Sequence, residues 1–192
     1  MLLKELLKME EDKILKKIKE LDIDWLKNNH ERLYYFGLGF IQLKINHKYR
    51  LHFYTDKLKS NTDSIHNHRY DFKSIILKGT LNNKLYSMAK GSTHYMINES
   101  CNEKKSINVD KIECSVKLIK DITYDKGNSY FMEYNKFHKV NSNYAITLLE
   151  RSDYRQEEAQ VIYRNDEEVN CPFSLKVDSE KLWNIMEEMI ND

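Results

Sequence analysis

The stretch from residue 32 to residue 164 is a succession of short strand-like segments, and this feature most constrains the fold. Asn, Asp, Gly and Ser separate the segments, and no helical period lies between them. Many short strands in succession favour an antiparallel sandwich or barrel over alternating strand–helix units. The segments are RLYYFGLGFIQLKI, expected as one strand, and then YRLHFYTD, FKSIILKG, KLYSM, THYMI, SVKLI, SYFMEY, YAITLLE and AQVIY.

Both ends of the chain have helical periodicity. Apolar residues recur at helical spacing between Met1 and Asn29, which predicts one long helix or two short ones. The segment DSEKLWNIMEEMIND predicts a C-terminal helix with Asp178 or Ser179 as its N-cap. We therefore expect a single domain: residues 1–30 form a helical segment packing on a barrel, residues 31–170 the barrel, and residues 171–192 a helix.

The net charge, the hydropathy and the cysteine spacing limit the partners and the cellular compartment that we expect for this chain. The 192 residues have a formal net charge of +1, so there is no electrostatic footprint for nucleic acid. No segment reaches the ~18 consecutive apolar residues of a membrane span. The cysteines Cys101, Cys114 and Cys171 lack a Cys-x-x-Cys spacing, which indicates free thiols in a reducing compartment. These features predict a cytoplasmic protein that binds neither nucleic acid nor membranes.

Two histidines in SIHNHRYD suggest metal chemistry. His66 and His68 are separated by one residue, so on extended backbone their side chains project to the same face. A metal needs at least one further ligand, which a strand-based site usually takes from a distant strand. His138, in YNKFHKV, is the candidate.

These residues resemble the two motifs of the cupin superfamily of small β-barrels. The first motif is G-x5-H-x-H-x3,4-E-x6-G, and His66, His68 and Gly79 fall on its histidines and final glycine. The second is G-x5-P-x-G-x2-H-x3-N, and Gly127 and His138 fall on its first glycine and its histidine. The resemblance implies a mainly β, cupin-type double-stranded β-helix, or jelly-roll barrel, flanked by the N-terminal and C-terminal α-helices.

Several motif positions differ. Ser60 and Phe72 stand where the first motif has its initial Gly and its metal-binding Glu. In the second motif Glu133 replaces Pro, Asn135 replaces Gly, and Ser142 replaces the final Asn. Asn tolerates left-handed backbone, so the turn at Asn135 is retained.

The loss of the Glu leaves two ligand sets open. In the first, Asp71 supplies the carboxylate after a one-residue shift, which requires a bulge or a site within the turn. In the second, the resemblance implies three neutral imidazoles from His66, His68 and His138, as in cupin thiol dioxygenases, with Asp71 beside the site. We favour the second set, which leaves the full charge of a divalent metal available, with Asp71 beside the site or as an alternate ligand.

The resemblance implies two functions from different classes. The first is a metal-dependent enzyme acting on a small polar molecule, as a dioxygenase-like oxidoreductase that uses Fe(II), with Mn, Ni or Zn as alternative metals. The sequence features do not distinguish this oxidoreductase from a redox-neutral isomerase or hydrolase that uses the same metal. The second is a non-catalytic module that captures a small ligand, with anionic ligands among the candidates, or mediates a protein interaction. The terminal helices are then candidates for homodimer contacts.

Further side chains are candidates for ligand binding. Arg69 and Tyr70 adjoin the histidine pair and would lie at the mouth of a barrel. Arg151 and Arg155, in LLERSDYRQE, carry guanidinium groups suited to carboxylate or phosphate. A solvated loop with internal ion pairs is the alternative for both arginines.

Overall fold

A computed structural model describes residues 2–58, 60, 64–99, 111–167 and 176–192. Cys101, Cys171 and the predicted boundary at 170/171 lie outside the described residues. The helices are α1 (Leu2–Lys19), α2 (Ile23–Asn28) and α3 (Ser179–Asn191). The strands are β1 (Arg32–Phe36), β2 (Phe40–Lys44), β3 (Tyr49–Thr55), β4 (Ile65–His66), β5 (Tyr70–Glu99), β6 (Ile112–Asp125), β7 (Ser129–Met132), β8 (Phe137–Asn141), β9 (Tyr144–Tyr154) and β10 (Ala159–Arg164).

The strands form two antiparallel sheets that share β5. The first sheet has the order β1-β2-β3-β9-β5, and β7 also pairs with β5. In the second sheet, β6, β5, β8, β4 and β10 follow one another, and β10 pairs with the far end of β5. That end of β5 pairs again with β6, so the pairings of the second sheet form a closed ring. The prediction of a mainly β, antiparallel fold flanked by helices is confirmed.

The helices pack on one face of the first sheet. Leu51 and Phe53 of β3 point to that face and are fully buried beside Ile18 of α1 and Met186 of α3. The alternate residues of β3 point to the opposite face, towards the histidines, because neighbouring side chains of a strand alternate. This face contains Gln42 and His52, which are both buried.

Two expectations about strand number are wrong. The segment RLYYFGLGFIQLKI forms two strands, β1 and β2, joined at Gly37-Leu38-Gly39. Gly39 has φ +94°, a left-handed conformation that glycine adopts without steric cost, and the chain reverses there. Conversely, FKSIILKG, KLYSM and THYMI belong to the single strand β5, which bends at register shifts without ending.

Gly79 marks the corner where β5 passes from one sheet to the other. Up to Gly79 the strand pairs with β9, and from Thr80 onward it pairs with β6. Gly79 has φ +68°, and an added Cβ would lie 2.0 Å from the carbonyl oxygen of Tyr144. The bend brings the next part of β5 alongside β8, which carries His138.

The ends of the chain are helical as predicted, with two helices at the N-terminus. Asp22 caps α2 by accepting a hydrogen bond from the Trp25 backbone N–H at 3.0 Å. Asp178 caps α3 by accepting from the N–H groups of Glu180 and Lys181. Within the described residues, none of the helices has the length and apolar character needed to cross a bilayer.

Candidate metal centre

Three histidines from separate parts of the chain converge in the second sheet. His66 ends β4 and is the register partner of His138 on β8. His68 lies just before β5, and its ring centroid is 5.0 Å from each of the other two. One ring nitrogen from each histidine lies within 4.8 Å of those of the others, and no Asp, Glu or Cys of the described residues belongs to the group.

Hydrogen bonds to the outer ring nitrogens orient two of the imidazoles. His138 Nδ1 lies 3.0 Å from Oδ1 of Asn83, and His66 Nδ1 lies 3.3 Å from the backbone oxygen of Ser64. Both partners are acceptors, so each Nδ1 is the protonated nitrogen and each Nε2 keeps its lone pair. His68 Nε2 lies 2.8 Å from His138 Nε2.

Burial holds all three imidazoles neutral. It lowers the pKa of His66, and it lowers the pKa values of His68 and His138 well below the ordinary value. Proximity adds to this effect, since His138 and His66 each disfavour a charge on His68. Neutral imidazole is the form that binds metal.

Backbone and side-chain hydrogen bonds fix the segment that carries His68. The His68 N–H donates to the Tyr134 carbonyl at 3.0 Å, and its own carbonyl accepts from Gln156 Nε2 at 2.9 Å. Asn67 is buried, and its Oδ1 accepts from the Gln160 N–H at 2.6 Å. The segment between β4 and β5 is therefore held on both sides, although β4 itself has only two residues.

Asp71 lies outside the three-histidine group. Its Oδ1 accepts from the Tyr134 N–H at 2.8 Å, and its Oδ2 accepts from Arg155 Nε at 3.1 Å. Both carboxylate oxygens are thus engaged in holding the loops that surround His68. Arg155, one of the predicted ligand-binding residues, is the partner in this ion pair.

Phe72 packs against the histidines from the motif position of the missing Glu. The side chain is 3% exposed, and its ring centroid lies 4.7 Å from that of His68 and 6.1 Å from that of His138. An aromatic ring therefore covers one side of the group and offers no ligand atom.

The donor set fits a divalent metal. Two nitrogens that bind one ion at right angles, each at about 2.1 Å, lie about 3 Å apart. The separation of 2.8 Å between the Nε2 atoms of His68 and His138 is close to that value. His66 supplies a third nitrogen, the three lie within 4.8 Å of one another, and imidazole suits Fe, Ni, Cu and Zn.

The remaining ligand-binding candidates lie together beside His68. The Tyr70 ring centroid is 5.8 Å from that of His68 and 6.1 Å from that of Tyr154. The guanidinium carbon of Arg151 lies 5.0 Å from the Tyr70 ring and 4.4 Å from the Tyr154 ring. That of Arg69 lies 4.3 Å from the Tyr154 ring.

Three residues that contact this region were not among the sequence candidates: Asn83, Asn67 and Arg50. Asn82 and Asn83 fall between the segments FKSIILKG and KLYSM, where asparagine indicates a turn, so strand alternation gave no signal for them. In the structure both belong to β5, and Asn83 is buried. Arg50 donates to the Tyr70 hydroxyl at 2.8 Å from a distant strand, a contact that no local pattern encodes.

No family model and no curated protein sequence matches this chain. Among solved structures, it is similar to hydroquinone 1,2-dioxygenase from Sphingomonas sp. TTNP3, solved with 4-hydroxybenzoate bound, at 8% identity and a TM-score of 0.31. The match covers 57% of this chain and 62% of the dioxygenase chain, so it spans less than two thirds of the latter.

Proposed function

We propose that this protein is a metal-dependent, cupin-like enzyme acting on a small polar molecule. In this proposal Nε2 atoms of His66 and His138, together with His68, hold a divalent metal. The observation that carries it is the 2.8 Å approach of the His68 and His138 Nε2 atoms, with His66 beside them and no acidic side chain of the described residues in the group. Neutral imidazole nitrogens in such a group are the ligands that a divalent cation would take.

Fe(II) is the metal we propose first, for a dioxygenase-like oxidation, with Mn, Ni and Zn as alternatives. When bound, the metal would supply Lewis acidity at its full charge and, if it is iron, access to oxygen chemistry. Asn83 holds the His138 tautomer, and Phe72 excludes water from one side of the group. Asp71 acts indirectly, by holding the loop beside His68. The cytoplasmic location and the homodimer stay predictions.

Metal stoichiometry tests the proposal. Untagged protein, reconstituted with Fe(II) under anaerobic conditions and desalted, should hold about one metal per chain by mass spectrometry. His66→Ala, His68→Ala and His138→Ala should each abolish stoichiometric binding. His47→Ala is the matched control, because His47 is exposed and outside the group. Sub-stoichiometric metal in the reconstituted wild type would refute the proposal.

A second candidate function is a non-catalytic module that captures a small ligand. Phe72 supports it, since a buried aromatic ring occupies the motif position of the usual carboxylate ligand. Oxygen uptake by the iron-loaded protein, measured across a panel of small polar and anionic molecules, separates the two candidates. An enzyme should consume oxygen with at least one substrate above the rate of His138→Ala, whereas a capture module should bind ligand without such uptake.

A further inference from the structure

Three arginines surround two tyrosines beside His68. Arg50 and Arg151 place their guanidinium carbons 5.2 and 5.0 Å from the Tyr70 ring. Arg69 donates to the Tyr154 hydroxyl at 3.1 Å. We call these five residues the arginine cluster. Burial raises the pKa of Tyr154, but the charges of Arg151 and Arg69 outweigh it, and the pKa is lowered overall.

The cluster lacks negative charge. No carboxylate of the described residues forms an ion pair with Arg50, Arg69 or Arg151, whereas Arg155 and Arg164 pair with Asp71 and Asp166. Three cations within one cluster repel each other, and this cost persists unless an anion offsets it. The arginine cluster is therefore positively charged, and the described part of the chain supplies no carboxylate that pairs with it.

Two guanidinium nitrogens in the cluster are buried and without a hydrogen-bond partner. They are Nε of Arg50 and Nη1 of Arg151. Leaving a buried donor without a hydrogen bond is unfavourable, and more so when the donor is charged. Both arginine residues are partly exposed as a whole. Donors of this kind are matched by carboxylate or phosphate oxygens.

Tyr70 connects the arginine cluster to the histidines. Its hydroxyl accepts from Arg50 Nη1 at 2.8 Å, and its ring lies 5.8 Å from the His68 ring. A group bound at Arg50 and Arg151 would thus lie about one aromatic ring from the His68 imidazole. That distance suits the two ends of one small molecule.

We propose that the arginine cluster binds an oxyanion, a carboxylate or phosphate group, of the small molecule whose other end reaches the three histidines. Arg50 and Arg151 are the principal contacts, and Tyr70 separates the anion from the imidazoles. The substrate or captured ligand is thus a small organic anion. The inference rests on the proposed function for the role of the histidines, but not for anion binding itself.

Anion binding by the metal-free full-length chain tests this inference directly. The probes are benzoate, phenyl phosphate and the neutral isostere benzamide, titrated into EDTA-treated ¹⁵N-labelled protein at constant ionic strength. The Nε–H resonance of Arg50 reports on an unpartnered donor. At least one of the two anions should shift this resonance saturably, with an affinity at least tenfold higher than that of benzamide. The anion that binds more tightly, benzoate or phenyl phosphate, shows whether the site prefers a carboxylate or a phosphate.

Substitutions locate the binding. Arg50→Gln and Arg151→Gln should each weaken anion binding at least tenfold, judged from the remaining cluster resonances. Arg164→Gln, which removes an exposed guanidinium paired with Asp166, should leave it unchanged. Equal binding of anion and benzamide, or equal loss in Arg164→Gln, would overturn the inference. If Arg50→Gln does not fold, Arg151→Gln and the probe comparison decide.

Metal content distinguishes failure of this inference from failure of the proposed function. Arg151→Gln should retain about one metal per chain after reconstitution, because it leaves the histidines intact. Conversely, His138→Ala should lose the metal yet retain anion binding. Metal binding without anion selectivity overturns the arginine-cluster inference alone, and anion selectivity without metal overturns the metal site alone.

Discussion

The Nε2 atoms of His68 and His138 lie 2.8 Å apart, although 70 residues separate them in the chain. Without a metal, this approach requires a proton on one of the two nitrogens, which then donates to the other. Because Asn83 fixes the Nδ1 proton of His138, His138 Nε2 is the acceptor of that bond. Metal binding through Nε2 would move the His68 proton to Nδ1, and it would use the Nε2 lone pair that the tautomer of His138 provides. The affinity for metal therefore depends on the residue that holds the His138 tautomer.

Asn83→Ala should weaken metal binding 10- to 100-fold, the usual effect of removing a hydrogen bond behind a ligating imidazole. The reason is that the N–H group at His138 Nδ1 loses its hydrogen-bond acceptor. The tautomer with its proton on Nδ1, which leaves Nε2 free to bind metal, is then no longer favoured. Competition with a calibrated chelator measures the affinity. Asn82→Ala is the matched control, since Asn82 is adjacent in β5 but bonds to Asp121 and Thr123. Equal losses in both variants would contradict the role given to Asn83.

Phe72→Glu should restore a carboxylate to the metal site. In the metal-free protein the change removes a buried ring and buries a carboxyl group, so we expect a loss of about 3 kcal/mol or more. With metal, the new carboxylate gains a partner, and the rise in melting temperature on adding metal should exceed that of the wild type. Paired thermal melts with and without metal measure this difference.

Phe72→Leu is the control for Phe72→Glu. It also removes the ring that packs on His68, but it adds no ligand atom. Its metal-dependent rise in melting temperature should therefore match that of the wild type. An equally enlarged rise in Phe72→Leu would mean that loss of the ring, and not the carboxylate, strengthens metal binding.

The sequence predicted the β-rich fold because strand alternation and turn residues are local signals. The same locality explains the errors. Gly39 divides one aromatic run into β1 and β2, and only its left-handed conformation distinguishes that turn from a tolerated glycine within a strand. Strand β5 continues through its bends because both β9 and β6 pair with it, and pairing partners cannot be identified from one segment.

For the candidate site, spacing identified the three histidines that the structure brings together. The residues around them were harder to predict. Arg50 reaches Tyr70 through the register of β3 with β9, and the sequence around Arg50 has no motif. The role of Asp71 depends on the backbone N–H of Tyr134, which belongs to a turn far along the chain. Motif spacing predicts which residues bind the metal. The residues that form hydrogen bonds around them depend on how the strands pair in the folded sheets.

Gly79→Ala should destabilise the protein far more than Gly127→Ala. Both glycines have positive φ, so alanine costs about 1–2 kcal/mol at either position. Only at Gly79 would the added Cβ meet backbone, the Tyr144 carbonyl at 2.0 Å, whereas nothing lies within 4 Å at Gly127. We expect a loss of about 3 kcal/mol or more for Gly79→Ala by urea denaturation. Similar losses for the two variants would refute the close approach at the β5 corner.

His52 should make the stability of the metal-free protein sensitive to acid. Burial, together with the charge of Arg50, lowers the pKa of His52 from about 6.5 to about 3. Gln42 contacts its Nε2 at 3.1 Å, and the ring lies against Tyr54. Below about pH 6.5, His52 therefore binds a proton in the unfolded chain but stays neutral in the folded protein. The stabilising effect of neutral His52 is complete above pH 6.5 and is lost as the pH falls from about 6.5 towards about 3.

His52→Gln removes this titration while keeping a polar side chain beside Gln42. Below pH 6.5 the free energy of unfolding should fall less steeply in the variant, by up to about 1.4 kcal/mol per pH unit. The remaining dependence, to which His68 and other buried histidines contribute, is common to both proteins. Urea denaturation of the EDTA-treated proteins between pH 7.5 and pH 5 measures the two slopes. Parallel slopes would show that His52 is protonated in the folded protein at the same pH as in the unfolded chain.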